Sequence, residues 1–226
     1  MPGLNQFPGR DLLSGLPERQ RALFEKRCRR RQYRRHAIIF YQGDPAGDVY
    51  FIERGWVKTY YTSFAGKEII IGLWSTGDLV GTPDIDSATR LLSCQAVEDC
   101  VLLGFGPAEI DYFFQEVPLL ARRLITALSF KVRWATTLCD RLATESVASR
   151  VAHTVITLAQ LHGVRTAHNA LMVDRVSHQD IASMIGASRQ SVTIALSKFQ
   201  KDGVLRCSKR CIVVYDLDAL AKERHE

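Results

Sequence analysis

Apolar and polar positions alternate in short bursts from residue 36 to about 105, and glycines punctuate them. The runs HAIIFYQGD, VYFIERG, WVKTYYTSFAG and KEIIIGLWSTGD follow one another, with Gly43, Gly55, Gly66 and Gly77 at intervals of 12, 11 and 11. Strand-sized runs with turn signals at that spacing predict an antiparallel barrel or roll. SCQAV and CVLLGF continue the pattern. Between them lies GDLVGTPDIDSATRLL (77–92), a loop-like stretch with a single Arg90, which has the look of a binding loop.

After residue 106 the period changes. Pro118 suits a first helical turn, and no glycine or proline follows until past Thr144. Ala121, Leu124, Leu128, Ala135, Leu138 and Leu142 fall at heptad spacing, interrupted by Lys131, while Ile125, Val132 and Cys139 form a second stripe on an adjacent face. Such a helix either packs on its own domain or pairs with a second copy. Its two stripes favour the second. Ser146 is placed to cap a further helix, VASRVAHTVITLAQLHG, closed by Gly163.

Residues 176–205, VSHQDIASMIGASRQSVTIALSKFQKDGVL, carry two short amphipathic helices around a glycine. Ser177 with Asp180 forms a capping box, and Ser188 caps the second helix. Ala182, Gly186 and Val192 are small, flexible and apolar where a tight DNA-binding helix pair needs them. Leu196 and Phe199 belong to the core. Just after the cap, Arg189 can bond bidentately to guanine and Gln190 to adenine, with Ser188, Ser191 and Thr193 as short donors. His178 and Gln179 open the first helix, and Lys198 follows on the second. Beyond them GVLRC-SK-RCIVVYD predicts a hairpin wing with Ser208-Lys209 at its tip, so that Cys207 faces Arg210 and Cys211 faces Arg206. A Cys207–Cys211 disulfide is disfavoured by that geometry.

Charge sharpens this picture. The chain is 226 residues long with a formal charge of +6, and 46% of its residues are hydrophobic, so it folds as a globular protein. Between 185 and 211, Arg189, Lys198, Lys201, Arg206, Lys209 and Arg210 stand against Asp202 alone, a net +5. Positive charge concentrated on one motif fits phosphate binding. None of the six cysteines forms a C-x-x-C pair, so no zinc or thioredoxin-type site is expected. The basic run KRCRRRQYRRH (26–36) is either a solvated cationic face or a means of lowering the pKa of Cys28, and the first reading is preferred. No signal peptide, membrane span, P-loop, G-x-S-x-G, H-E-x-x-H or G-x-G-x-x-G occurs. A soluble, cytoplasmic protein without membrane contact and without catalytic function is expected.

The pieces IIFYQGDPAGDVYFIERGWVK (38–58), GDLVG (77–81), the 146–162 helix and QDIASMIGASRQSV (179–192) together resemble the Crp/Fnr superfamily of bacterial transcription regulators. The resemblance implies an α+β chain in three parts: a cyclic-nucleotide-binding-like β-roll (1–117), a dimerisation helix (118–145) and a winged helix-turn-helix (146–226). It implies a homodimer on double-stranded DNA, with RNA polymerase as a partner if the protein activates. In cyclic-AMP-binding members the roll loop supplies a Glu to the ribose, an Arg and a following hydroxyl to the phosphate, and the long helix supplies Thr-Ser to the base. Here Gly81 is followed by Thr82, Arg90 by Leu91, and Ala135-Thr136 stand on the helix. One strong ligand group remains, so cyclic AMP is not expected. A regulator that still binds a nucleotide through Arg90 is the alternative, and a stand-alone nucleotide-binding subunit is a further one. An iron–sulfur cluster lacks its N-terminal cysteine set, since only Cys28 lies there, and His36, His153 and His162 form no recognisable haem pair. No metal site is expected, and the effector is unassigned. Family members read DNA with Arg-Glu-x-x-x-Arg. Arg189, Gln190 and Ile194 occupy those places, so the operator should depart from TGTGA half-sites.

Overall fold

Positive φ at Gly55 (99°) and Gly77 (94°) closes two of the turns that the glycine spacing marks. No L side chain sits comfortably there. The computed structural model describes residues 11–82, 85, 87–166, 170–174, 176–208 and 210–223. The described residues divide into two compact units, one of residues 11–133 and the other of those from Trp134 onward.

In the first unit, helix α1 (Glu18–Arg27) precedes eight strands: β1 (Arg29–Tyr33), β2 (Ile38–Phe40), β3 (Val49–Arg54), β4 (Trp56–Thr62), β5 (Glu68–Ser75), β6 (Leu79–Val80), β7 (Ser93–Ala96) and β8 (Cys100–Phe105). They form two four-stranded sheets, β1-β8-β3-β6 and β2-β7-β4-β5, every pair antiparallel. Helix α2 (Pro107–Glu116) and the long helix α3 (Pro118–Thr144) follow. The roll is therefore present, and it begins earlier than the glycine pattern shows. Phe24 of α1 is fully buried, its ring 5.9, 5.4 and 5.0 Å from those of Phe51, Phe105 and Phe113.

The basic run is an exposed cationic face, the preferred reading. Its Arg29, Arg30 and Arg31 are exposed on β1, an edge strand that pairs with β8. Charge on an edge strand prevents further pairing. Arg29 is paired with Asp48, Arg30 with Glu53 at 2.8 Å, and the Arg27 guanidinium lies 3.6 Å from the Tyr112 ring centre. The run does not activate Cys28. Burial and the nearby Glu109 carboxylate push its thiol up to about 12, outweighing the opposing pull of Arg29. Because the thiolate is the nucleophile, Cys28 should alkylate at pH 8 at least about a hundredfold more slowly than free cysteine. A time course with iodoacetamide, read by peptide mass spectrometry, measures this. Labelling at the free-cysteine rate would refute it.

Helix α3 runs over the 27 residues its composition predicts. The stripe expected to mediate dimerisation is corrected in part, since Leu124 faces the roll while Ala135 and Leu142 stay exposed. Leu124 is buried with Leu120, Ala127 and Phe130, and Leu128 packs against the same core. The Lys131 ammonium lies 3.5 Å from the Trp74 ring centre, which accounts for a cation inside an apolar stripe. Ala121 is half-buried beside them. The face left open carries Ile125, Val132, Cys139 and Leu142, with Ala135 exposed and Leu128 half-buried between them. These six positions are spaced 3, 4, 3, 4 and 3, a full heptad seam, and Leu138 lies to one side of it, half-buried.

The second unit holds the end of α3, α4 (Val147–His162), β9 (Val164–Arg165), β10 (Leu171–Asp174), α5 (His178–Ile185), α6 (Arg189–Lys201), β11 (Leu205–Cys207), β12 (Cys211–Val214) and α7 (Leu217–Lys222). Ser146 caps α4 by accepting from the Ser149 N–H. Gly163 ends it in extended rather than left-handed backbone, and the residue must be small because a Cβ would lie 2.2 Å from the Ala159 carbonyl oxygen. The four strands form one sheet, β11-β12-β10-β9. The wing register is a further correction. Cys207 pairs with Ile212, and the Ser208 N–H donates to the Cys211 carbonyl at 2.8 Å. The chain therefore reverses between 208 and 211, one residue beyond the predicted tip. Cys207 and Cys211 are still not opposed. Among the described residues no helix is long and apolar enough to cross a membrane, and no cluster of three or more His, Cys, Asp or Glu residues could hold a metal ion.

Candidate nucleic-acid interface and roll pocket

Local chemistry fixes the α5–α6 pair. The Ser177 hydroxyl accepts from the Asp180 N–H at 3.1 Å, and the Asp180 carboxylate accepts from the Ser177 N–H at 2.9 Å, which closes the capping box. Gly186 ends α5 at φ 66°, ψ 27°. A residue with a Cβ would pay about 1–2 kcal/mol for that left-handed conformation. Ser188 caps α6, accepting from the Ser191 N–H at 3.0 Å. Ala182 and Val192 are both fully buried where the helices meet, with Ile181, Ile185, Leu196 and Phe199 around them.

This packing turns the other side of α6 outward. Val192, Ala195, Leu196 and Phe199 are its buried residues. At about 100° per residue, the direction opposite their mean is occupied by Gln190, Ile194, Ser197 and Lys201, each within about 30°. All four are exposed, as is Arg189 at the first helical position. Thr193 is exposed too, but its hydroxyl is engaged: it donates to the Arg189 carbonyl at 2.9 Å and lies 3.0 Å from the His178 Nδ1. Burial and the neighbouring Arg189 charge lower the His178 pKa, so a neutral ring with its proton on Nδ1 fits this contact. Gln179 is exposed beside it.

The cations divide into two groups. Lys198 is ion-paired with Glu223 at 2.8 Å, so its charge is partly met within the chain. Lys201, Arg206 and Arg210 are exposed, and Lys209 lies outside the described residues. Sequence reasoning missed Gln200, whose side-chain oxygen accepts from the Cys207 N–H at 2.8 Å and ties the wing to α6. A long polar residue near a helix end carries no signal for such a contact. His153, one of the scattered histidines, is satisfied by Glu145 at 3.0 Å.

In the roll, residues 87–91 are pinned against 43–46. The Gly43 N–H donates to the Arg90 carbonyl at 2.9 Å, the Arg90 N–H to the Asp44 carbonyl at 2.8 Å and the Ala46 N–H to the Ala88 carbonyl at 3.0 Å. Arg90 is only 4% exposed. Its guanidinium donates to the Asp48 carbonyl at 2.7 Å and lies 4.3 Å from the Phe40 ring centre. Gly81, at φ 81°, lets it approach, since a Cβ there would lie 2.9 Å from the Arg90 Nη1. Thr82 is buried, and its hydroxyl has no hydrogen-bond partner among the described residues. Leu91 is 57% exposed and joins Gln42, Gly43, Tyr61 and Ser87–Arg90 around a shallow depression. The structure thus brings Gly81, Thr82 and Arg90 together. Ala135 and Thr136 belong to the other compact unit, and both are exposed.

Comparison with known proteins matches two families, one described as a cyclic nucleotide-binding domain over residues 30–117, the other as a Crp-like helix-turn-helix domain over 149–223. The chain is 30% identical over 199 residues to the cyclic AMP receptor protein of Thermus thermophilus, covering 88% of this chain and 89% of that protein. It is 28% identical over 218 residues to the CRP-like protein Clp of Xanthomonas euvesicatoria, covering 93% of each. Among solved structures, the c-di-GMP responsive global regulator CLP of Xanthomonas campestris superposes with a TM-score of 0.78 at 25% identity, over 88% of this chain and all of that one. A CooA variant from Carboxydothermus hydrogenoformans shares the fold, with a TM-score of 0.79 at 21% identity over 97% and 98% of the two chains.

Proposed function

The chain belongs to the Crp/Fnr family of DNA-binding transcription regulators, and from that premise we propose that it acts as a homodimer on an inverted-repeat operator, with a roll pocket that does not take up cyclic AMP. The observation that carries the DNA-reading part is the exposed N-terminal end of α6, where Arg189 at the first helical position and Gln190 on the outer face stand beside the Ser188 cap of a helix whose opposite side is buried. Arg189 reads guanine, Gln190 reads the neighbouring pair, and Lys201, Arg206, Lys209 and Arg210 supply contacts to the phosphates. Short donors at Ser188 and Ser191 add to them, with His178 and Gln179 at the start of α5. Lys198 contributes less, because Glu223 already holds it. RNA polymerase is the further partner if the bound dimer activates.

Support for the effector part comes from Arg90. Its guanidinium is engaged by the Asp48 carbonyl and the Phe40 ring inside the roll, and Thr82 offers no carboxylate to a ribose. A second reading, a regulator still binding a nucleotide through Arg90, has one observation in its favour. The Thr82 hydroxyl is buried without a partner among the described residues, close in sequence to the glycine that packs on Arg90.

Selection of binding sites from random DNA, repeated with and without cyclic AMP, tests both parts. The expected product is an inverted repeat with half-sites about one helical turn, roughly 34 Å, apart. One guanine per half-site should be kept, the sequence should differ from TGTGA, and the affinity should not change with nucleotide. Unaltered TGTGA half-sites would overturn the DNA-reading assignment. An affinity that rises with cyclic AMP would favour the second reading.

A further inference from the structure

We propose that Ile194 is a sequence-reading residue whose side chain packs on the 5-methyl group of a thymine in each half-site. The inference rests on the DNA-reading role of α6 and extends it to a contact that no polar group makes. Ile194 is an apolar residue 64% exposed, and it lies within about 30° of the direction opposite the buried side of α6. Its neighbours on that face are Gln190, Ser197 and Lys201, all polar. A lone exposed apolar residue needs no explanation in general. This one stands in the middle of the face that enters the groove, between Gln190 and Lys201, flanked by the cations that complement phosphate.

Two further observations narrow its occupant. The Thr193 hydroxyl is engaged by the Arg189 carbonyl and lies beside His178, which leaves less polar read-out on the middle of the helix. Isoleucine is also a poorer helix former than alanine, so an exposed helix position gives no local reason for it. The major groove presents one apolar group, the thymine 5-methyl. Five residues along the helix amount to about 7.5 Å, which puts Ile194 within about three base pairs of the guanine read by Arg189.

The test uses the operator recovered by selection, with deoxyuridine replacing one thymine at a time. That exchange removes only the methyl group. At one position per half-site the intact protein should bind about fourfold more weakly, the value of one buried methyl. The Ile194→Ala variant should bind the thymine and uracil forms equally, while Ile194→Val keeps the discrimination. If the intact protein ignores every exchange, or if Ile194→Ala shows the same losses, the proposal fails while the DNA-reading role stands. If selection returns no preferred sequence at all, the DNA-reading role fails with it.

Discussion

Val132→Asp is expected to convert the protein from dimer to monomer at micromolar concentration and to weaken operator binding by about a hundredfold or more, the scale of the avidity that two linked half-sites provide. The reason lies in how α3 is divided. Its inner face packs Leu120, Leu124, Ala127 and Phe130 on the roll. Its outer face leaves Ile125 at 65%, Val132 at 66% and Leu142 at 42% exposure. Together with Leu128, Ala135 and Cys139 these residues form a heptad seam in which Ile125, Val132, Ala135, Cys139 and Leu142 are exposed and Leu128 is half-buried. An exposed seam of that length fits a second copy of the same helix. At its centre an aspartate would meet its own symmetry mate, two like charges in an apolar seam, and neither would have a partner. Because Val132 is exposed within one chain, the monomer itself has little reason to unfold. Sedimentation reads the mass, a thermal melt reads the fold, and a gel shift reads the affinity. A variant that stays dimeric at the original affinity would place the interface elsewhere.

The two stripes on α3 show where sequence stops being sufficient. Both are apolar at heptad spacing, and nothing along the chain says which one the roll covers. The roll core that takes in Leu120, Leu124 and Ala127 separates them, together with Trp74, whose ring lies under Lys131. The helix pair is different. Ser177, Asp180, Gly186 and Ser188 act within four residues of themselves, through caps and one positive φ, so their roles are written locally. Arg90 was legible as a cation in a loop, but its turn inward was not. Its acceptor is a backbone carbonyl 42 residues away. The wing register was missed for a related reason: β12 pairs with β10 as well as β11, so a third strand helps to fix the turn. Cys28 stays unactivated, as the preferred reading has it, and the arginines beside it in sequence are committed to Asp48, Glu53 and Tyr112.

Arg189→Ala should separate DNA binding from stability, because the two respond in opposite directions. A bidentate contact to guanine is worth about 1–3 kcal/mol, and a symmetric operator doubles it to about 2–6 kcal/mol. Specific affinity should therefore fall at least about thirtyfold, and discrimination at the contacted base pair should disappear. The fold should not suffer. Arg189 is exposed at the first position of α6, and the bond that Thr193 makes to it uses the backbone carbonyl, which alanine retains. A cation there also opposes the positive end of the helix dipole, so its removal should raise stability by about 0.3–1 kcal/mol. Lys201→Ala is the informative contrast: loss of a phosphate contact weakens all sequences alike and lowers the salt dependence by about one ion per contact. Equilibrium binding to operator and to random DNA across a salt series, beside urea denaturation, distinguishes these outcomes. If Arg189→Ala loses affinity for both DNAs equally, Arg189 contacts phosphate and the guanine assignment is wrong. A structural arginine would instead lower stability together with binding. A protein made more stable and less able to read DNA is what a residue kept for recognition, against the helix dipole, produces.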